Sequence, residues 1–237
     1  MSGRSDQRVA AMSGLGLAAA VISQILPPQA AAAEAFGDVA DATLFAAEEA
    51  GLGGAGLSRY AEFSTGRACA RAALARLGFP PVPILPGPRG EPRWPGGVTG
   101  SITHCAGYRA CAAARSVRVA ALGIDAEPDA PLTAGVLGAV ATRAERAWLE
   151  ERMSADPRVR WDTLLFSAKE AAYKAWFPLT GATPGFADVE MTEPADGRFT
   201  LRLLTQCRGQ TRPGPPRLEG GWLASRGLII TAVAAPA

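Results

Sequence analysis

A short segment of the chain combines one carboxylate, two ammonium groups and several aromatic rings. It reads FSAKEAAYKAWFPL and spans residues 166–179. At about 100° of rotation per helical residue, Glu170 shares a helix face with aromatic residues, and Lys169 and Lys174 flank it. Desolvating a carboxylate among aromatic rings is costly unless a cation meets it. We therefore expect Glu170 to meet a cation, either a metal ion or, in an ordinary helix-surface pair, Lys174.

The two lysines of this segment are the only lysines in a chain with 24 basic side chains. All the others are arginine, so a lysine pair on one short helix indicates a specific chemical requirement. An ammonium group is a compact point charge that suits a phosphate oxygen or a nearby carboxylate, whereas a guanidinium group is a wide planar fork. The pair therefore favours an anionic ligand.

Asp125 and Glu127, in the segment ALGIDAEP, form a second group of acidic side chains. Residues two apart on an extended chain point to the same side, so both carboxylates face one way. Neighbouring anions repel one another unless a cation lies between them. Hard oxygen ligands of this kind suit Mg²⁺, which keeps water and substrate phosphate in its remaining positions. The alternative is a solvated strand end.

His104, the only histidine of the chain, lies in the segment GVTGSITHCAGY. Gly100, Ser101 and Thr103 beside it allow close backbone approach and offer hydroxyl and amide donors, which suits a phosphate group. A phosphate dianion would hold the imidazole in its cationic form. A satisfied core histidine at a strand end is the alternative. Together, the three groups supply carboxylates for a metal ion and cations for a diphosphate.

The composition is that of a globular protein. Of 237 residues, 48% are hydrophobic and 19% are charged, and the net charge is only +2, which argues against a disordered chain. Residues 59–118 carry nine arginines against two glutamates, which favours an anionic ligand. The apolar N-terminal run resembles a signal peptide, but its polar residues favour a cytoplasmic protein without a membrane span. The cysteines, expected to be reduced thiols, are Cys69, Cys105, Cys111 and Cys207.

The pattern of apolar residues predicts an α+β fold. Helices are expected at residues 12–26, 58–77, 143–152 and 158–177. GSITHCAGYRACAAAR predicts a strand followed by a helix or a second strand, and VRVAALGIDAEP predicts a strand that leads into a loop. After Gly185, alternating residues predict three strands joined by turns at PADG and EGG. Each half thus has a helix first and strands afterwards, as a duplicated α+β unit would.

The order of the segments GSITHC, GIDAE and FSAKEAAYK resembles the signature of the 4′-phosphopantetheinyl transferases. The chain is similar to the monomeric, two-half class (Sfp/EntD-like), and to actinobacterial-type members in particular. Upstream, RYAEFSTGR matches the family pattern R-x-x-E-[FY]-x-x-x-R, and GEPRWPGG and AWFPLTG are similar too. The resemblance covers roughly residues 40–235. The combination of three motifs is far more specific than any one of them.

The resemblance implies transfer of the 4′-phosphopantetheine arm of coenzyme A to a serine of an apo acyl or peptidyl carrier protein, with release of 3′,5′-ADP. Asp125, Glu127 and Glu170 are expected to bind Mg²⁺ together with the diphosphate. The expected catalytic residues are Glu170, Lys174 and Glu127. Glu170 is favoured as the base that accepts the serine proton, and Glu127 acting through water is the alternative.

The resemblance also implies contacts with coenzyme A. The residues expected to bind it are Arg59, Arg67, Arg89, Thr103, His104, Lys169 and Lys174. Of these, the two lysines would contact phosphate oxygens, and His104 with two arginines, Arg59 and Arg67, would hold the 3′-phosphate and adenine end. Many relatives have a basic residue where this chain has Pro86, and Arg89 is expected to substitute for it.

The fold implied is a pseudo-dimer of two similar α+β halves, each a small antiparallel sheet packed with helices. The halves are expected at residues 1–122, which would contact the 3′-phosphate and adenine, and 123–237, which would carry the metal and catalytic residues. The active site would lie in the cleft between them. A monomer that binds neither nucleic acid nor membrane is expected. Two other functions stay open: a non-catalytic coenzyme A or nucleotide-binding module, and a Mg²⁺-dependent phosphohydrolase.

Overall fold

A computed structural model describes residues 20–54, 56–205 and 210–237, which form two antiparallel sheets and five α-helices. The strands are β1 Ala30–Phe36, β2 Val98–Cys105, β3 Tyr108–Arg115, β4 Val119–Pro128, β5 Val189–Ala195, β6 Arg198–Leu203, β7 Arg217–Ser225 and β8 Leu228–Pro236. The helices are α1 Ala46–Ala50, α2 Leu57–Arg76, α3 Ala134–Val140, α4 Arg143–Ala155 and α5 Trp161–Thr180. The predicted α+β class is confirmed. No helix in these three ranges is long and apolar enough to cross a membrane.

The first sheet has the strand order β1–β3–β2, and α2 packs against it. Small side chains such as Ala70, Ala73 and Ala113 dominate this contact, so helix and sheet approach closely. The helix predicted over residues 58–77 is confirmed, and the chain leaves it through Gly78, whose φ of 81° suits glycine. The segment after GSITHC forms a second strand, β3, rather than a helix.

The second sheet has the strand order β4–β8–β7–β6–β5, and α5 packs across it. The helices predicted over residues 143–152 and 158–177 are confirmed as α4 and α5. Leu164, Leu165 and Trp176 of α5 are buried in this core. The sequence from Val119 to Pro128 forms one continuous strand, so the D-x-E pair lies within β4 rather than in a loop.

The described residues after Gly185 form four strands, whereas three were predicted. The turn predicted at PADG is confirmed, because Asp196 and Gly197 both have positive φ between β5 and β6. The turn predicted at EGG is wrong, since Glu219, Gly220 and Gly221 lie inside β7. These glycines serve packing rather than chain reversal: a Cβ at Gly220 would collide with the ring of a phenylalanine in β6, Phe199.

The N-terminal part of the first half was predicted incorrectly. β1 was missed because its sequence, AAAAEAF, is rich in alanine, which has little strand preference. Among the described residues a strand precedes the first α-helix in each half, β1 in the first and β4 in the second, which differs from the predicted helix-first order. Residues 12–19 of the predicted helix over 12–26 lie outside the described residues, and the remainder forms only a short 3₁₀ helix, Val21–Ile25. The carboxylate of Glu34 in β1 accepts the Val21 N–H at 2.7 Å and holds this segment on the sheet.

The free thiols agree with the expectation for the cysteines in the described part of the chain. Cys69 and Cys111 are buried in the first half, and Cys105 is half-buried at the end of β2. Burial raises the pKa of Cys105 to about 11, so its thiol is protonated at neutral pH. The fourth cysteine, Cys207, lies outside the described residues.

The two halves meet where β2 lies beside β4, and side-chain hydroxyl groups join the two strands. Ser101 Oγ accepts the Ile124 N–H at 3.1 Å, and Thr103 Oγ1 accepts the Ala126 N–H at 3.2 Å. We call this contact between β2 and β4 the seam. The hydroxyl groups satisfy β4 amides that no strand of the second sheet reaches from this side. This seam brings the candidate residues of both halves together.

Gly123 fixes the distance between β4 and α5. A Cβ at this position would lie 2.7 Å from the backbone nitrogen of Ala175 and closer still to the carbonyl oxygen of Ala171. Only glycine permits such an approach between strand and helix. The glycine of the GIDAE segment therefore allows α5 to pack directly against the strand that carries Asp125 and Glu127.

Candidate active site

Lys174 on α5 contacts the seam directly. Its Nζ donates to Asp125 Oδ1 at 2.6 Å, to the carbonyl oxygen of Ile124 at 3.2 Å and to Thr103 Oγ1 at 3.5 Å. Thr103 Oγ1 also donates to Asp125 Oδ1 at 3.3 Å. One ammonium group thus joins β2, β4 and α5. The structure brings together three of the predicted site residues at this point: Thr103, Asp125 and Lys174.

Three carboxylates lie around this ammonium group and disturb one another. Burial, together with the charges of Asp125 and Glu170, raises the pKa of Glu127 to about 7, although Lys174 acts in the opposite direction. Burial and the charge of Asp125 also raise the pKa of Glu170. Glu127 therefore faces the same region as Asp125, as the D-x-E spacing predicts, whereas Ile124 and Ala126 face the opposite core. The group holds more negative charge than Lys174 alone offsets.

These residues fit a divalent cation chemically, although they do not form a finished site. Asp125 is only 4% exposed, and its Oδ2 atom is buried without a hydrogen-bond partner among the described residues. A buried, unpaired carboxylate oxygen is unfavourable, and a cation would satisfy it. Within residues 20–54, 56–205 and 210–237, however, no three acidic, histidine or cysteine side chains stand ready to hold a metal ion. Neighbouring oxygen ligands are present, but they are not preassembled.

His104 lies beside the seam on β2 and belongs to a separate charged cluster with Arg59 and Glu62. Its Nδ1 atom is 3.2 Å from Glu62 Oε2, and Arg59 forms an ion pair with the same glutamate. Burial lowers the pKa of His104, with Arg59 and Lys174 adding to the effect and Glu62 opposing it. The protein around His104 thus favours the neutral imidazole rather than the expected cation.

Arg67, in contrast, is built into the interior of the first half. Its Nε donates to the carbonyl oxygen of Ile84 at 2.7 Å, and its guanidinium group lies 4.0 Å from the ring centroid of Phe63. Burial lowers its pKa to about 10, and Glu48 opposes the effect. The structure does not bring Arg67 to the carboxylates around Lys174.

Arg89 reaches from the first half to the second. It lies on a tight turn in which Gly87 N–H donates to Glu91 O at 2.7 Å. From there its Nη1 donates to Thr183 Oγ1 at 3.0 Å, and its guanidinium group is 5.1 Å from the ring centroid of Phe177 on α5. Arg89 therefore closes one side of the cleft between the halves, next to Pro86.

Lys169 takes a direction different from that of Lys174. Its Nζ donates to Glu145 Oε2 at 2.7 Å and to the carbonyl oxygens of Val140 and Phe186, both at 2.9 Å. All of these partners belong to the second half. The structure does not bring this ammonium group to the carboxylates of the seam.

Two cavities lie along α5, one lined by Lys174 and the other by Glu170, and they share one residue, Tyr173. The first, which we call the seam cavity, has a volume of about 220 Å³ and lies between residues 89–94 and 100–102 of the first half and residues 173–178 of α5. The second, the inner cavity, has a volume of about 200 Å³. It is lined by Lys169, Glu170, Tyr173, Pro184, Gly185, Phe186 and Val189. Lys174 thus lines the seam cavity, Glu170 lines the inner cavity, and Tyr173 lines both.

Comparison with known proteins identifies the family. Residues 47–114 match the 4′-phosphopantetheinyl transferase N-terminal domain, and residues 121–217 match the 4′-phosphopantetheinyl transferase superfamily. The chain belongs to the 4′-phosphopantetheinyl transferase superfamily.

Three curated relatives carry the same description. The 4′-phosphopantetheinyl transferase Svp of Streptomyces mobaraensis is 47% identical over 228 residues, which cover 92% of this chain and 90% of the relative. PptT of Mycobacterium tuberculosis is 50% identical over 182 residues, 74% of this chain and 78% of the relative. Npt of Nocardia iowensis is 43% identical over 225 residues, 90% of this chain and 99% of the relative. The resemblance and the class of enzyme predicted from the sequence are confirmed.

Sequence reasoning missed several features of this phosphopantetheinyl transferase. Ser101 and Thr103 were interpreted as phosphate donors, yet both hydroxyl groups are used to join β2 to β4. Phe177 was placed on the helix face of Glu170, but it lines the seam cavity. Phe186 was not singled out, and it lines the inner cavity. The small residues of GSITHC and the position of Phe177 on the Glu170 face were the available signals.

Proposed function

We propose that this phosphopantetheinyl transferase moves the 4′-phosphopantetheine arm of coenzyme A to a serine of an apo carrier protein, releasing 3′,5′-ADP. One observation carries the proposal: Lys174, which lines the seam cavity, bonds to Asp125 and Thr103 at the seam, and Asp125 Oδ2 has no hydrogen-bond partner in the part of the chain that the structure describes. A diphosphate with a bound cation would satisfy both the ammonium group and the unpaired oxygen.

The two cavities suggest how coenzyme A lies across this point. Its diphosphate would contact Lys174, its nucleotide end would extend toward the seam cavity, and its apolar arm would enter the inner cavity beside Glu170. This placement supports the division of roles between residues 1–122, which would hold the nucleotide end, and residues 123–237, which would hold the reacting groups. His104 and Arg59 would bind the 3′-phosphate, and the dianion would raise the pKa of His104.

Asp125, Glu127 and Glu170 would hold Mg²⁺, with side-chain rotation bringing their oxygens together. Mg²⁺, when bound, supplies positive charge that offsets the charge developing on the diphosphate. Glu170 would accept the proton of the carrier serine as the serine oxygen bonds to the β-phosphorus and 3′,5′-ADP leaves. Burial raises the pKa of this carboxylate, which makes it a better base than an exposed one. Glu127 acting through water is the second candidate for this role.

The experiment incubates the protein with coenzyme A, Mg²⁺ and an apo acyl carrier protein or apo peptidyl carrier domain, and measures the intact mass of the carrier. A gain of one phosphopantetheine group, abolished by a chelator, is expected. Release of phosphate or nucleotide without carrier would indicate a phosphohydrolase. Coenzyme A binding without transfer to any apo carrier tested would indicate a binding module.

Glu170→Gln is the matched variant for this assay. It should lower kcat by about 10²-fold at saturating coenzyme A and Mg²⁺, because it removes the carboxylate that would accept the serine proton. We further propose that the protein is cytoplasmic and monomeric. Sedimentation with and without coenzyme A would test the monomeric state.

A further inference from the structure

The ammonium group of Lys169 has no capacity left for a substrate. Its side chain is 1% exposed. An ammonium group has three N–H donors, and here the acceptors are Glu145 Oε2, Val140 O and Phe186 O, all within 2.9 Å. Binding a phosphate oxygen would require breaking one of these buried bonds. Lys169 is therefore a closed part of the second half.

Glu145 is equally saturated. It is fully buried, and Oε2 accepts the Thr142 N–H at 2.7 Å in addition to Lys169 Nζ. Its other oxygen, Oε1, accepts the Met191 N–H of β5 at 2.7 Å. Thr142 Oγ1 in turn accepts the Glu145 N–H, so the same carboxylate completes the N-terminal cap of α4. The Lys169–Glu145 pair thus joins the start of α4, the end of α3, strand β5 and helix α5.

The position of this pair gives it a consequence for the site. Glu170 follows Lys169 on α5. Hydrogen bonds that hold Lys169 in place therefore also fix the rotation of this helix turn and its position along the helix axis. Phe186, whose carbonyl oxygen binds Lys169, lines the inner cavity opposite Glu170 and Tyr173. The pair therefore fixes both walls of that cavity relative to one another.

We propose that Lys169 is a positioning residue: its buried pair with Glu145 sets the inner cavity and the placement of Glu170, and it does not contact phosphate. The proposal rests on the proposed transfer reaction. It separates the two lysines of the helix by role, since Lys174 contacts the ligand and Lys169 contacts only the protein.

The first test compares Lys169→Met with Lys174→Met, measuring the Kd for coenzyme A by calorimetry at several salt concentrations. Lys169→Met should leave the Kd within about threefold of the wild-type value and leave its salt dependence unchanged. Lys174→Met should raise the Kd at least about tenfold and weaken its salt dependence, because a cation that faces phosphate is lost. An increase with Lys169→Met as large as that with Lys174→Met would overturn the proposal.

The second test uses Glu145→Gln, which touches no substrate, and the double variant Lys169→Met/Glu145→Gln. Each single variant should lower kcat at saturating coenzyme A at least about tenfold and lower the melting temperature, because one buried charge is left unpaired. The double variant removes both charges, so its melting temperature and kcat should exceed those of either single variant. If Lys169 were needed to bind phosphate, removing Glu145 as well could not restore kcat.

Several outcomes would contradict the positioning role. Full kcat in a folded Glu145→Gln protein would do so, as would a double variant no better than Lys169→Met. If Lys169→Met does not fold, the Glu145→Gln and double variants still decide the question. A wild-type protein without transfer activity would refute the proposed function instead, and the calorimetric comparison of the two lysines would still test whether Lys169 contacts phosphate.

Discussion

Two lysines, five residues apart on one helix, stand in opposite situations. Lys169 and Glu145 form a pair in which the donors of one side chain and both oxygens of the other are used inside the second half. Lys174 and Asp125 form a pair beside the seam, and one oxygen of this carboxylate has no hydrogen-bond partner among the described residues. The hydrogen bonds of the described residues therefore separate a saturated ion pair from one with an unsatisfied buried oxygen.

Removing the carboxylate partner of each lysine should have the largest effects and tests the difference between the two ion pairs most strongly. Asp125→Ala should lower kcat/KM for transfer at least about 10³-fold, since a cation ligand and the partner of Lys174 are lost together, yet change the stability by less than about 1 kcal/mol. Glu145→Ala should lower the free energy of unfolding by about 3–5 kcal/mol, because Lys169 is then buried unpaired. Carrier mass assays and urea unfolding measure the two effects.

The proposed difference between the two pairs would be contradicted if Asp125→Ala mainly lowered stability and Glu145→Ala mainly lowered transfer. The control is Glu190→Ala, which removes a carboxylate whose partner, Arg202, is on the surface. It should alter both quantities little. A large loss of transfer with this control would mean that the assay reports general damage.

Sequence reasoning predicted the direction of the β4 carboxylates better than the direction of Lys169. The same-side geometry of Asp125 and Glu127 follows from the two-residue repeat of a strand, which needs no tertiary information. The direction of Lys169 does not follow from its helix, because its partner Glu145 lies 24 residues earlier and meets it only through tertiary packing. β1 escaped prediction for the same reason, since its alanines form a strand only when β3 is beside them.

Gly123→Ala sharpens the comparison by moving the helix that carries both lysines. The added Cβ would meet the backbone of Ala171 and Ala175, so α5 must shift away from β4. We expect a loss of about 2–4 kcal/mol in the free energy of unfolding, together with reduced transfer. The control is Gly135→Ala in α3, where a Cβ meets nothing and a helix gains about 0.5–1 kcal/mol from alanine. Equal stability of the two variants would contradict the close contact between β4 and α5.

The pH dependence of stability should distinguish the unfinished site from the rest of the protein. The pKa of Glu127 is about 7, above its ordinary value, so the native state binds a proton more readily than the unfolded chain. Stability from this proton is present at low pH and is lost as pH rises from about 4.5 through 7. Glu127 is only partly buried, so after discounting for solvent screening we expect about 1 kcal/mol between pH 5 and 8.

Melting temperatures measured in chelator across this pH range test the expectation. Glu127→Gln should make the curve flatter, because the titrating carboxyl is gone, and excess Mg²⁺ should reduce the loss at high pH in the wild type. A wild-type curve with the same slope as the variant would show that Glu127 is not the group responsible.

Arg89→Ala should have the smallest effect. Arg89 bonds to Thr183 and lies over Phe177, but both contacts are partly exposed, so stability should fall by less than about 1 kcal/mol. If Arg89 substitutes for the basic residue missing at Pro86, the KM for coenzyme A should rise by about two- to fivefold while kcat stays constant. Steady-state kinetics with varied coenzyme A provide the measurement, and an unchanged KM would remove Arg89 from the binding residues.

The most direct test of the central claim is a Mn²⁺ titration followed by electron paramagnetic resonance, with Mn²⁺ replacing Mg²⁺ and coenzyme A present. The account predicts one tightly bound ion per chain, with binding weakened at least about tenfold in each of Asp125→Asn, Glu127→Gln and Glu170→Gln. Glu145→Gln should retain the ion. Unchanged ion binding in all three site variants would contradict the account.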